Sequence, residues 1–228
     1  DRLGVRDRFK IASIWEAILK KSYERGELFT IQLHHERIGF CGTALIQVLE
    51  RASSFQPQIW IAQLKDIADW VIELKATELK LDRYGEGRFK VRVDGSKRAS
   101  VLVKNAKINV ASKAWADGYH LIEKNEFEVD SDTIPAVGVS PITPDGVVSK
   151  LRDEGFIVEV TDSPNRYSFY LDVEDRENLG DLVNAIEESG KPIIRLWRWP
   201  DGARSALSCT GDIDSITIID FARRFVEV

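Results

Sequence analysis

Methionine is absent from all 228 residues, cysteine occurs only at Cys41 and Cys209, and histidine only at His34, His35 and His120. Without methionine there is no initiator, so the sequence reads as a processed chain or as a piece of a longer one. Two cysteines make no disulfide framework at this length, and no paired C-x-x-C elements offer zinc spacing. Both are expected as buried thiols. The apolar runs are a handful of residues long, against the about 20 that cross a bilayer, and Asp1-Arg2-Leu3 does not read as a signal peptide. The expectation is a soluble chain with no membrane span, cytoplasmic or associated with the cell envelope. Nucleotide loops of the G-x-x-x-x-G-K-[ST] and G-x-G-x-x-G forms are missing, as is a G-x-S-x-G elbow, so kinase, dehydrogenase and serine-hydrolase readings have no support. Positive charge is short as well: 32 Lys+Arg against 37 Asp+Glu give a net charge of −5, and no global field draws the chain to nucleic acid.

What remains is 43% hydrophobic and 9% aromatic, enough for one sizeable core or two small ones. Ile11, Ile14, Trp15, Ile18 and Leu19 repeat at helical spacing, with Lys20, Lys21 and Arg25 late and Gly26 as the stop. Leu28 to Leu33 follows as a strand, read as mostly apolar on both faces, and delivers His34 to its end. Ala44, Leu45, Val48, Leu49 and Ala52 mark a second helix, and Leu64, Ile67, Ala68, Val71 and Leu74 a third.

After Tyr84-Gly85-Glu86-Gly87 the period becomes two. Phe89, Val91 and Val93 alternate with charges, Asp94-Gly95 makes a tight turn and Val101 and Val103 return, which predicts a β-hairpin. Further strands are expected at 106–110, 120–129 and 135–139. From Pro144 the pattern turns α/β, with helices at 145–154 and 179–188, strands at 156–160, 167–173, 193–197 and 206–210, and a last helix near Ser215 or Thr217. The expected fold class is therefore α+β with mixed α/β character. It divides into a helix–strand–helix segment over 1–80, an antiparallel β module over 81–140 and an α/β segment over 141–228.

Chemistry concentrates where Ala206-Leu207-Ser208-Cys209-Thr210 runs into Gly211-Asp212-Ile213-Asp214. Alternate residues of an extended segment point the same way, so Asp212 and Asp214 could face one pocket, one to hold a cation and one to take a proton from water. Equally, T-G-D-x-D is a turn in which Asp caps the following helix. Arg195, Trp197 and Trp199 fall at alternate positions of a predicted strand. They could form a stacking platform for a sugar ring, or simply belong to the core. Trp115 and Tyr119, flanking Ala116-Asp117-Gly118, carry the same two readings. His35 reads as a surface residue, His120 as structural, and the basic run Arg88, Lys90, Arg92, Lys97, Arg98 as a solvated face.

The T-G-D-x-D stretch resembles the first motif of the metal-dependent polysaccharide deacetylases related to chitooligosaccharide deacetylase. Gly26 to Ile38, with its Leu33-His34-His35-Glu36-Arg37, resembles that family's closing L-H-P-E-R strand, and Gln58 to Trp70 its last segment. The resemblance implies that residues 1–80 look like the end of a deacetylase α/β barrel. It also implies that Asp212 is the catalytic base, Asp214 a metal ligand and His34 the general acid that protonates the leaving amine. It further implies a divalent metal, zinc by type, provided other residues supply its histidines, because no H-[ST]-x-x-H occurs in this chain. The R-x-P-aromatic motif is missing, and the motif order is inverted, His34 preceding Asp212. The expected function is thus deacetylation of a polysaccharide or N-acetyl sugar, with a carbohydrate partner and His34 and Asp212 open to completion by another chain in a homo-oligomer. The alternative is a non-catalytic carbohydrate-binding or structural module carrying remnant motifs.

Overall fold

The computed structural model describes residues 8–34, 38–172 and 179–212, the side chains of residues 8, 9, 179 and 212 excepted. His35, Asp214 and the expected last helix lie outside them. Among the described residues five α-helices and fourteen strands mix in the manner expected of an α+β protein. They divide into two compact units, one made of residues 1–68 with 203–228, the other of 69–202.

The first unit begins with α1 (Arg8–Arg25), which buries Ile11, Ala12 and Leu19 on one stripe. Gly26 ends it with a left-handed φ of 66°, the conformation glycine takes without a Cβ penalty. The amides of Gly26 and Glu27 then bond back to the carbonyls of Tyr23 and Ser22. β1 (Leu28–His34), α2 (Ile38–Ser53) and β2 (Ile59–Ile61) follow, and α2 buries Ala44, Val48 and Ala52, four residues apart. The sheet of this unit is completed from the far end of the sequence. β14 (Ser205–Asp212) lies between β1 and β2, parallel to both. Leu19, Tyr23, Ile31, Val48, Ile59 and Leu207 close the core under one face.

α3 (Leu64–Lys75) leads into the second unit. Two of its sheets are antiparallel. One orders β3 (Glu78–Gly85), β4 (Arg88–Asp94), β9 (Glu126–Asp130) and β6 (Lys107–Ile108) as β3-β4-β9-β6. The other orders β13 (Ile193–Trp197), β5 (Ser100–Lys104), β8 (His120–Ile122) and β7 (Lys113–Ala114) as β13-β5-β8-β7. Phe89, Val91, Val93, Phe127 and Val129 from the first sheet pack with Val101, Val103, Ile122 and Ile194 from the second. This is the interlocking of two inner faces that stabilises sandwiches. A third sheet sets β10 (Ile134–Val139) between β11 (Val158–Val160) and β12 (Tyr167–Leu171), all parallel, beside α4 (Asp145–Asp153) and α5 (Leu179–Glu188). Residues 135–139 are all buried, as a central parallel strand requires.

Three sequence expectations change. β4 does not form a hairpin with β5: it pairs with β3 through the Gly85–Gly87 turn, and β5 belongs to the other sheet. The alternation in Glu78-Leu79-Lys80-Leu81 supplies a nearer partner, and Gly87, with φ 62°, makes the tighter reversal. The single strand expected over 120–129 is two, β8 and β9, in different sheets. β10 is parallel to its neighbours rather than part of an antiparallel module.

Candidate functional site

β1 and β14 register residue for residue, from Leu28 beside Ala206 to His34 beside Asp212. The two segments stand at opposite ends of the sequence, yet they end as neighbours at the carboxyl edge of one parallel pair, about 4.8 Å apart between strands. That edge, next to a central strand flanked on both sides, is where parallel α/β sheets gather ligands. His34 is half-buried there.

In a parallel pair, registered residues share a face. Phe29, Ile31 and Leu33 of β1 lie with Leu207 on the face that packs into the core. The opposite face carries Thr30 beside Ser208 and Gln32 beside Thr210, and His34 follows them on it. β1 is thus not apolar on both faces: Thr30 and Gln32 are exposed. The sequence already alternated Phe-Thr-Ile-Gln-Leu-His, and that alternation was the available signal. Ser208 is 0% exposed, buried like Ala206 and Leu207 before it, and its hydroxyl makes no hydrogen bond with any described residue. On the far side of β14, Trp60 of β2 registers with Ala206 and so belongs to the same face.

A catalytic zinc takes three protein ligands. Among the described residues no three His, Cys, Asp or Glu side chains come together to hold a cation, and Asp214 lies outside them. The described residues therefore do not compose such a centre.

The aromatic and cationic candidates lie inside the second unit. Arg195 is 3% exposed, Trp197 and Trp199 are buried too, and Trp199 stands beyond the end of β13. The Arg195 guanidinium pairs with Glu187 at 2.6 Å and with Glu154 at 3.4 Å, and lies 4.3 Å from the Phe156 ring centroid and 5.0 Å from that of Trp197. Arg198 also pairs with Glu154. Trp115 meets Trp197 edge to face at 5.0 Å and donates from Nε1 to the Gly202 carbonyl. Tyr119 is buried and donates to Glu187 at 2.7 Å, and burial together with that carboxylate raises its pKa. Arg195, Trp197 and Trp199 are all less than a tenth exposed. Their burial fits the core reading better than the sugar-platform one.

Compared with models of known families, with curated proteins and with solved structures, the chain finds no match in any of the three. The functional reading therefore stands on the register of two strands and on the chemistry of their ends.

The remaining candidates carry less. His120 opens β8, is exposed and shares a hydrogen bond with Ser112 Oγ at 3.2 Å. Neither cysteine is buried as expected, Cys41 being half-buried and Cys209 exposed. Desolvation still holds the Cys209 thiol above its ordinary pKa, which makes it a reluctant nucleophile. In the basic run, Lys90 pairs with Glu126 at 2.8 Å, Arg92 with Asp94 at 3.2 Å and Arg98 with Asp201 at 2.9 Å. Three of its five cations are thus paired with carboxylates. No helix among the described residues is long and apolar enough to cross a membrane.

Proposed function

We propose that His34 and Asp212 form the acid–base pair of an amide-hydrolysing site acting on an N-acetylated carbohydrate. The observation that supports this reading is the register that seats the two side by side at the ends of parallel strands. Their chemistry is complementary. A carboxylate takes a proton from water as its oxygen attacks the acetyl carbonyl, and an imidazolium gives a proton to the amine nitrogen as the C–N bond breaks. Acetate and the free amino sugar leave, and the two protonation states are exchanged. In the resembled deacetylases a divalent metal activates the water. Since the described residues do not complete a donor set, no step is assigned to one here.

Acetate release from tetra-N-acetylchitotetraose by the whole chain, with and without added zinc, tests the reading. D212N and H34A should each lower the rate by about 10²–10⁴-fold, the usual contribution of a positioned acid or base. A rate unchanged in both variants sinks it. A second reading is a carbohydrate-binding module without hydrolysis, since the sequence carries no H-[ST]-x-x-H pair to go with its Asp motif. Oligosaccharide binding with no acetate released under any condition would decide for that reading.

A further inference from the structure

β3 stands at the end of its sheet. The order β3-β4-β9-β6 pairs it on one side, to β4, and among the described residues no strand pairs with the other side. The opposite end of that sheet is β6, two residues long, whereas β3 runs from Glu78 to Gly85. A long edge strand presents a row of unpaired amides and carbonyls, and proteins ordinarily blunt it with proline, with shortness or with charges that repel a second strand. β3 holds no proline, and its charges have both signs: Glu78, Lys80, Asp82 and Arg83. Leu79 and Leu81 pack against the sandwich core but stay half-buried, because the sheet stops beside them. Glu78, Lys80, Asp82 and Tyr84 alternate with them on the outer face. Lys80 pairs with Asp94 at 2.8 Å and with Glu78 at 3.1 Å, yet its side chain is still 37% exposed. Asp82 is exposed, and the Lys90 beside it on β4 is engaged with Glu126 at 2.8 Å.

We infer that β3 is the interface of a homodimer, pairing antiparallel with β3 of a second copy of this chain about a two-fold axis at Leu81. The strand's own sequence selects both that occupant and that register. Directly opposite residues of an antiparallel pair share a face, where opposite charges attract and like charges repel. An axis at Leu81 sets Lys80 of each copy opposite Asp82 of the other, so the match is made twice. On the inner face it sets Leu81 against Leu81 of the second copy and lays the aliphatic stem of Arg83 against Leu79. The half-buried apolar row of one sandwich thereby continues into the next. Moving the axis by one residue destroys the match. At Lys80, that lysine meets itself and Glu78 meets Asp82; at Asp82, two aspartates meet. The irregularity of register between Arg83 and Gly85 bounds the paired run on that side. Such a contact uses the same patch on both copies, so it closes at two chains and does not grow into a fibre.

The charge pattern supplies the test. Sedimentation velocity follows the whole chain from micromolar to submillimolar concentration, with far-ultraviolet dichroism as the check on folding. The parent should dimerise. D82K opposes lysine to lysine at both places and K80D opposes aspartate to aspartate, so each variant alone should dimerise at least about ten-fold more weakly. An equimolar mixture of the two restores opposite charge in every opposed pair, and should recover dimers of near-parental affinity that hold one chain of each kind. In the parent alone, amides of Leu79 to Arg83 should gain protection from hydrogen exchange as concentration rises, a reading that needs no variant. A parent that stays monomeric throughout overturns the inference. Dimers indifferent to both substitutions overturn it too, as does a mixture that associates no better than either variant alone.

Discussion

At Arg195 a full positive charge sits in the interior with two carboxylates and two aromatic rings around it. Removing one partner of a buried ion pair strands the other, which typically destabilises by about 3–5 kcal/mol, whereas exposed pairs contribute little. R195M keeps the aliphatic bulk and leaves Glu187 with Lys104 and Tyr119. It should therefore lower stability by about 3 kcal/mol, read from the urea midpoint by tryptophan fluorescence, while K90A at the exposed Lys90–Glu126 pair should leave the midpoint nearly unmoved. Tyrosines carry a pH prediction. Burial first, and the hydrogen bond to Glu159 second, push Tyr167 up to about 12. The unfolded phenol ionises near its ordinary value of about 10. The unfolded state thus loses its proton first, so the stability this group contributes is complete below about pH 10 and is lost as pH rises through about 12. Comparing denaturant midpoints at pH 9 and pH 11.5, Y167F should show a smaller decline than the parent chain. An equal decline would place the pH dependence on other groups.

Among the elements, two glycines that look alike in sequence separate sharply. Gly155 closes α4 with φ 85°, and a Cβ there would stand 1.7 Å from the Leu196 carbonyl oxygen; Gly190 follows α5 with φ 68° and has nothing within 4 Å. G190A should therefore cost only the left-handed penalty of about 1–2 kcal/mol. G155A must also push β13 away and should cost more than about 4 kcal/mol, or leave no cooperative thermal transition at all. Similar thermal midpoints for the two variants would refute the close approach. In sequence both glycines follow predicted helices, at 145–154 and 179–188, because helix ends depend on local residues. Local sequence does not show the Leu196 carbonyl, forty-one residues away. The same division runs through the strands. The alternation of Phe89, Val91 and Val93 announced β4, whereas the choice of β3 and β9 as partners depends on which apolar faces close the sandwich. β1 was located nearly to the residue, but its polar side was passed over because Leu28, Phe29, Ile31 and Leu33 outweigh Thr30 and Gln32 by count.

For the molecule as a whole, the decisive feature is that the first unit is split in sequence and the second is not. His34 and Asp212 were each legible as candidates, but their meeting was not, since nothing local tells residue 34 that its neighbour is 212. The pairing exists because β14, which follows the second unit in sequence, lies between β1 and β2. Among the described residues those two strands are bridged through it: β1 pairs with β14, and β14 with β2. A chain ending at Gly202 loses that centre, and with it Leu207, which is fully buried in the first unit's core. The second unit keeps every strand of its three sheets, all of which lie between residues 78 and 197. Hydrogen exchange on the 1–202 chain should accordingly show the amides of β4, β5, β9 and β10 protected as in the parent, and those of β1 exchanging at rates close to the unfolded chain. Protection lost equally in both regions would mean that folding of the inserted unit depends on the strand that follows it. Protection retained in β1 would mean that the pairing with β14, and the acid–base site built on it, is not what holds that strand.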